Sequence, residues 1–382
     1  MYRCGPKFIV PYKKNSYTEE MKDAAIRVLD RGSSTWGNMG RGQEITFFES
    51  EFAFYCGKKS AILLDSVFRT IYLLLKLRGI SGKDEVIVAP HIEPGVAGII
   101  EQAGARSVFV DIEPETFNID GTKIEKKVTS STKAILVATA QGHPANMDPI
   151  MEIAEKHSLY VIEDSTHATG AKYRDRRLPV AHVGVFGLSN KCLWLPGGPA
   201  MLVTDDREIV EKLRVLRNWE PGRRGPEAVK DLHGRGIVHV LKIAPNDVDA
   251  AIGRVQLGHL DEYISIQRRN ASMYTELLKD TPVVTPIEKD YAHHIFLRYV
   301  IRTEKRDDLR EYLAEKGVES HVLYPTPAHL YEYYQRKYGY KKGDFPISEK
   351  MKETELALPE PSKDRTQREI AYAARNIQGF FS

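Results

Sequence analysis

Seven short apolar runs, most of them separated by amphipathic stretches, constrain the fold of this chain most strongly. The runs are continuously apolar and often β-branched, as expected for strands that are covered on both faces. They are SAILLD (60–65), EVIVAP (85–90), SVFVDI (107–112), KAILVATA (133–140), LYVIED (159–164), VGVFGL (183–188) and AMLVTD (200–205). Helical patterns such as RTIYLLLKLRG, GVAGIIEQAGA and DPIMEIAEKHS lie between them. Strand and helix in alternation predict a mainly parallel sheet between layers of helices, and the last two runs are close enough to form a hairpin.

The rhythm changes after Asp206, where a loop rich in glycine, arginine and proline (218–238) leads to a long helical pattern (247–280). A strand, IFLRYVIR (295–302), and a helix, RDDLREYLAEKG, follow. A chain of 382 residues is too long for one simple core. We therefore predict a large α/β domain over 1–250 and a smaller α/β domain over 251–382.

Composition excludes several classes of protein. Lysine and arginine number 55 against 52 acidic residues, so the net charge of +3 gives no reason to expect a nucleic-acid partner. The three cysteines are far apart, which predicts neither a metal site nor a disulfide framework and favours a reducing compartment. No apolar run approaches the ~20 residues that span a bilayer, and the segment MYRCGPKFIVPYKKNSY lacks the features of a secretory leader. A cytoplasmic protein is expected.

Two residues could carry chemistry at the carboxyl edge of the predicted sheet, where parallel-sheet proteins bind ligands. Asp164 ends the run LYVIED, and Lys191 follows the run VGVFGL in an apolar setting. Each has an ordinary alternative, since a strand-end aspartate often caps the next turn and a lysine often extends along the surface to reach water. As a pair they are more specific. Pyridoxal phosphate (PLP) chemistry needs a lysine that attaches the cofactor and a carboxylate that keeps the pyridine nitrogen protonated, and desolvation favours the neutral, nucleophilic lysine.

Longer stretches carry a family resemblance. VIEDSTHATGA is the most specific of them, and GARSVFVDIEPETFNID, AAIGRVQLGHLDEYI and LAEKGVESHVLYPTPAHL extend it along nearly the whole chain. The chain resembles the DegT/DnrJ/EryC1/StrS family of PLP-dependent sugar aminotransferases. The resemblance implies a type I aminotransferase fold with a mixed seven-stranded sheet, and a homodimer with shared active sites. It makes Asp164 the partner of the pyridine nitrogen, His167 a group beside the cofactor ring, and Lys191 the Schiff-base lysine.

Departures from the family pattern concentrate around the cofactor phosphate. Where relatives have Ser-Gly-Thr at a helix N-terminus, this chain has Ser66, Val67 and Phe68, so the backbone amides remain but two side chains differ. Phe186 stands in place of a cofactor-binding serine, for which Ser189 could substitute.

Two further positions depart from the pattern in the same pocket. The asparagine that a neighbouring subunit normally lends is Lys242, and the aromatic residue that stacks on the ring aligns with Pro94, near His91. Two interpretations stay open. Either the phosphate site is rebuilt with charged donors such as Arg69 and Lys242, or the chain is a divergent member with altered chemistry.

The resemblance also places His321, Tyr324 and His329 on the substrate side of the active site, although packing explains them about as well. The function that it implies is transamination of a keto sugar, nucleotide-linked, or of a related cyclic ketone, with glutamate or glutamine as the amino donor. The alternatives are a non-transaminase reaction on the same scaffold and a non-catalytic partner subunit.

Overall fold

The computed structural model describes residues 9–13, 17–31, 42–189, 193–217 and 245–382. Within these ranges, seven strands form a mixed sheet in the order β1-β9-β8-β5-β4-β2-β3. The strands are β1 (Ser60–Leu64), β2 (Glu85–Val88), β3 (Arg106–Phe109), β4 (Thr132–Ala138), β5 (Tyr160–Asp164), β8 (Val183–Gly187) and β9 (Ala200–Thr204). Strand β9 runs antiparallel to both of its neighbours, and the other pairs are parallel. All seven predicted strands and the β8–β9 hairpin are confirmed.

Helices cover this sheet and build the C-terminal part of the chain. They are α1 (Glu19–Asp30), α2 (Gln43–Tyr55), α3 (Val67–Leu77), α4 (Pro94–Gln102), α5 (Met147–His157), α6 (Arg207–Arg217), α7 (Asp247–Gly258), α8 (Leu260–Leu278), α9 (Arg306–Glu315), α10 (Glu332–Tyr338), α11 (Pro346–Thr354) and α12 (Gln367–Phe381). Two small sheets complete the fold: β6 (Lys172–Tyr173), β7 (Arg176–Arg177) and β10 (Ala292–His293) form one, β11 (Val300–Arg302) and β12 (Glu355–Ala357) the other. None of the described helices combines the length and apolarity that crossing a membrane requires.

Two expectations for the second half of the chain are wrong in detail. The long helical pattern over 247–280 is two helices that meet at His259, whose backbone leaves the helical region (φ −101°, ψ 2°) directly after Gly258. The strand expected over 295–302 contracts to Val300–Arg302. The reason is that the preceding backbone bonds to the loop after β4, with Ile295 N–H donating to the Gly142 carbonyl at 3.0 Å.

Apolar side chains form a large cluster around the seven-stranded sheet and a second cluster in the C-terminal unit. The second cluster includes Tyr274 of α8, Tyr299, Leu309 of α9, Leu356 of β12 and Ile370 of α12. The division of the chain after residue 250 stays a prediction.

Polar contacts hold the C-terminal unit against the carboxyl edge of the sheet. Asp111, just after β3, accepts hydrogen bonds from the Ile347 and Ser348 amides at 3.0 Å each and so caps the first turn of α11. The Ala328 amide donates to the carbonyl of Pro90, just after β2, at 2.7 Å. The C-terminal unit therefore forms one wall of the space above the strand ends, where ligands bind in such folds.

A buried carboxylate fixes the segment between β5 and β8. Glu163 is 0% exposed and accepts hydrogen bonds from the Ser165 hydroxyl (2.9 Å) and from the Val180 (2.8 Å) and Ala181 (3.2 Å) amides.

Glu163→Leu leaves these donors buried without an acceptor, so we expect the free energy of unfolding to fall by about 3 kcal/mol. Denaturant unfolding measures this. Glu152→Leu, at an exposed position of α5, is the control and should stay within about 0.5 kcal/mol of wild type; equal effects of the two substitutions would contradict the assignment.

Candidate active site

A cavity of about 230 Å³ lies at the carboxyl edge of the sheet, between the strand ends and the C-terminal unit. Its walls combine residues at or after the ends of five strands with one residue of the C-terminal unit. They include Ser66, Val67 and Phe68 after β1, His91 after β2, Ala140 after β4, Asp164, Thr166 and His167 at and after β5, Ser189 and Gly198 between β8 and β9, and Tyr324. The structure thus brings together most of the cofactor-side residues that the sequence predicts.

Asp164 ends β5 and lies in the cavity wall with 7% of its surface exposed. Its Oδ1 accepts hydrogen bonds from the Thr166 amide at 3.1 Å and from the Thr166 hydroxyl. Burial raises the pKa of this carboxyl group, and the two bonds from Thr166 oppose the rise. An ionised Asp164 is therefore poised to gain stability from a cationic group placed in the cavity.

His167 lies three residues further along and also faces the cavity. Burial, together with the nearby cations Arg298 and Lys13, lowers the pKa of His167 well below its ordinary value. The imidazole is therefore neutral at pH 7 and can both donate and accept a hydrogen bond.

The N-terminus of α3 opens into the same cavity. Ser66 is the N-cap, and its hydroxyl accepts from the Arg69 amide at 3.5 Å, while the first amides of the helix lack partners within the helix. Gly187 lets the end of β8 pack closely against Val67 and Thr166, because a Cβ at that position would lie 2.9 Å from Val67 Cγ2 and 2.7 Å from Thr166 Cγ2. Arg69, considered above as a phosphate donor, pairs with Asp65 and lies outside the cavity lining.

Two lysines that the sequence singles out, Lys191 and Lys242, lie outside the described residues. The chain on both sides of Lys191 is described: Ser189 pairs with Trp194 in an isolated bridge, and Ser189 and Gly198 line the cavity. The roles of both lysines stay predictions.

The three residues expected on the substrate side occupy different surroundings. Tyr324 lines the cavity, with 8% of its surface exposed. His321 lies outside the lining and packs against Tyr12, with ring centroids 4.3 Å apart. His329 is fully buried, bonds to Glu349 Oε1 at 3.0 Å and packs on Phe345, which favours a structural role.

Sequence reasoning missed a buried pair in the cavity wall. His91 Nε2 lies 3.0 Å from Glu355 Oε2 of β12, and both side chains are 0% exposed. Glu355 Oε1 also accepts from the Tyr324 amide at 3.1 Å, and the Tyr324 ring meets the His91 ring edge to face at 5.0 Å. The partners are 264 positions apart, so no local pattern could have revealed them.

A wider groove of about 760 Å³ lies on another face, between α1, α2 and α7. Its charged side chains pair with one another, as Arg254 does with Glu51 (2.7 Å) and Glu44 (2.6 Å). It lies away from the strand ends, so we place the active site in the smaller cavity.

The residues of that cavity fit PLP. The buried Asp164 carboxylate suits a protonated pyridine nitrogen, the neutral His167 suits a ring substituent, and the free amides at the start of α3 suit a phosphate.

Comparisons with known proteins agree with this geometry. The model of the DegT/DnrJ/EryC1/StrS aminotransferase family matches residues 16–374. The chain is 36% identical over 353 residues to the pleiotropic regulatory protein of Geobacillus stearothermophilus, covering 89% of this chain and 90% of that protein. It is 33% identical over 344 residues to the dTDP-3-amino-3,4,6-trideoxy-alpha-D-glucose transaminase of Streptomyces venezuelae, covering 88% and 86%.

A third relative and a solved structure extend the agreement over almost the whole chain. The dTDP-3-amino-3,6-dideoxy-alpha-D-galactopyranose transaminase of Aneurinibacillus thermoaerophilus is 32% identical over 369 residues, covering 95% and 96%. The X-ray structure of S. venezuelae DesV superposes with a TM-score of 0.86 at 29% identity, covering 95% of each chain. The predicted fold, enzyme class and cofactor are confirmed. The chain belongs to the DegT/DnrJ/EryC1/StrS aminotransferase family, whose members are PLP-dependent transferases.

Proposed function

We propose that this enzyme transfers the amino group of glutamate or glutamine to a keto sugar, carried on a nucleotide, in the cytoplasm. The amino acid leaves as its 2-oxo acid and the sugar ketone becomes an amine, so no outside oxidant or reductant is required. The observation that carries the proposal is the Asp164 carboxyl group, which is buried at the end of β5 in the cavity wall, where it suits a protonated pyridine nitrogen. The dTDP-sugar transaminases among the relatives support a nucleotide-linked sugar as the acceptor.

Each residue of the cavity has a role in this proposal. When bound, PLP supplies the electron sink for proton loss from the donor's α-carbon. Asp164 holds the proton on the pyridine nitrogen, and the neutral His167 bonds to a substituent of the ring. Ser66, with the amides of Val67 and Phe68, binds the phosphate, and Ser189 and Lys242, the latter from the partner subunit of a homodimer, complete the cofactor site. Tyr324 and His321 belong to the substrate side in this proposal, whereas the contacts of His329 with Glu349 and Phe345 favour a structural role for that residue.

Lys191 is the residue that we expect to attach the cofactor and to move the proton. It follows Ser189, which lines the cavity, by two positions in the sequence. An amine held in apolar surroundings loses its proton more readily and becomes a nucleophile.

Removal of the Lys191 amine tests this attachment. Lys191→Ala should abolish the visible absorbance of the protein after PLP is added and the excess removed, because no amine remains to bind the aldehyde. Borohydride reduction followed by peptide mapping should place the cofactor on the Lys191 peptide in wild type, and the exposed-site control Lys83→Ala should behave like wild type. A borohydride-stable adduct in Lys191→Ala, or no absorbance in wild type, would contradict the proposal.

The ionisation of Asp164 can be tested through its hydrogen-bond donor, Thr166. Thr166→Val removes the hydroxyl bond that opposes the rise in the pKa of Asp164, so this pKa rises further and a smaller fraction of the carboxyl group is ionised at a given acidic pH. PLP binding should therefore weaken at higher pH than in wild type, with the acidic midpoint displaced upward by about one pH unit.

The measurement is the PLP dissociation constant as a function of pH, compared with that of Thr166→Ser. The serine keeps the hydroxyl and should retain the wild-type midpoint. Equal midpoints in the two variants would show that the Thr166 hydroxyl does not control the ionisation of Asp164.

A further inference from the structure

Among the residues that the structure describes, two buried hydrogen-bond donors near the cavity have no acceptor. The Tyr12 hydroxyl and the Gln141 side-chain amide nitrogen, Nε2, are both inaccessible to water and unpaired. Tyr12 is 5% exposed and Gln141 is 3% exposed. Leaving such a group buried and unpaired costs about 1–3 kcal/mol, so the pair requires an explanation.

A guanidinium group lies beside both donors. Arg298 Nη1 donates to Gln141 Oε1 at 3.3 Å, which leaves the amide nitrogen of Gln141 as the unpaired end. Tyr12 and Arg298 are close enough that each alters the pKa of the other. We call Tyr12, Gln141 and Arg298 the donor cluster.

The donor cluster adjoins the active-site cavity. Ala140, which precedes Gln141, and Tyr324, which neighbours Arg298, both line that cavity. Arg298 also acts on His167 and helps to lower its pKa. The cluster is therefore an extension of the active-site wall formed by the C-terminal unit and the loop after β4.

The positive charge of Arg298 is not neutralised by contact. Among the residues that the structure describes, no carboxylate forms an ion pair with its guanidinium. Glu360 acts on Arg298 and Tyr12 at longer range. Glu355, also nearby, is engaged by His91 and by the Tyr324 amide. An arginine whose fork of donors meets only neutral oxygens retains capacity for an anion.

The backbone at Gln141 is strained as well. Its φ is +56°, in the left-handed region that non-glycine residues rarely adopt. Two bonds hold it there, from the Arg298 amide to the Gln141 carbonyl at 3.3 Å and from the Ile295 amide to the Gly142 carbonyl at 3.0 Å. Strain that the surrounding structure maintains is concentrated at functional sites.

We propose that the donor cluster binds a carboxylate group of the substrate. A carboxylate offers up to four acceptor positions, which suit a forked guanidinium, an amide N–H and a hydroxyl at once. This inference rests on the proposed aminotransferase function for the identity of the ligand. The carboxylate belongs either to the amino-acid donor or to an acidic keto sugar, and both share this chemistry.

The test measures binding of glutarate to the purified PLP-loaded enzyme by calorimetry, with glutaramide as the uncharged control. Wild type should bind glutarate and not glutaramide. Arg298→Met should weaken glutarate binding at least 10-fold, as expected for the loss of a charged hydrogen-bond donor. Arg298→Lys, which keeps the charge without the fork, should be intermediate. Arg310→Met, at an exposed position of α9, should match wild type.

A second variant keeps the test decisive if Arg298→Met fails to fold. Because the Tyr12 hydroxyl has no partner in the part of the chain that the structure describes, Tyr12→Phe should leave the melting temperature unchanged or raised, yet weaken glutarate binding several-fold. The proposal would be overturned if Tyr12→Phe binds glutarate like wild type while Arg298→Met either binds glutarate like wild type or misfolds. Equal binding of glutaramide and glutarate by wild type would also overturn it.

Spectral changes on adding L-glutamate distinguish the two sources of the carboxylate. If the carboxylate belongs to the amino-acid substrate, the half-reaction between L-glutamate and the PLP-loaded enzyme is half-saturated at a higher L-glutamate concentration in Tyr12→Phe than in wild type, and its limiting rate is retained. If an acidic sugar is the source, glutarate binding falls and the half-reaction with L-glutamate stays at wild-type values. Both results support a carboxylate site. Absence of any spectral change in wild type would contradict the proposed function alone, because glutarate binding is measured separately.

Discussion

A carboxyl group buried at the end of a central strand sets the conditions for the whole active site. Taking an ionised carboxylate out of water is unfavourable unless a cation or several donors compensate it. Among the described residues, the Asp164 carboxylate accepts hydrogen bonds from the amide and hydroxyl of Thr166, both on Oδ1. A cationic ligand group would compensate the buried carboxylate further, and the neighbouring groups suit a ligand: His167 is neutral, and the first amides of α3 have no partners within the helix.

The wall opposite Asp164 belongs to the C-terminal unit. Tyr324 enters the cavity because Glu355 holds its amide, and Glu355 in turn holds His91 of the large sheet. Arg298 reaches Gln141 from the same unit. The geometry of the cavity thus depends on contacts between the large sheet and the C-terminal unit, and the hydrogen bonds from the first turn of α11 to Asp111 are among them.

Features that depend on nearby residues could be predicted from the sequence. The seven strands follow from runs of apolar residues, and Asp164 and His167 meet because they are three positions apart after one strand. Features that depend on distant contacts could not. The residues before β11 leave the ladder because the loop after β4 takes their hydrogen bonds, and the helical pattern over 247–280 does not indicate the break at His259. The residues of the donor cluster come from positions 12, 141 and 298, which only the folded chain brings together.

The His91–Glu355 pair has a consequence for exchanging parts between relatives. A chimera that took its C-terminal unit from a protein without a carboxylate at this position would bury an imidazole against an apolar surface and release the Tyr324 amide. The reverse exchange would leave the buried Glu355 carboxylate with the Tyr324 amide but without His91, which is the more unfavourable of the two. The two halves are therefore matched at this contact, and we expect an exchange between relatives to preserve the fold best where both residues are exchanged together.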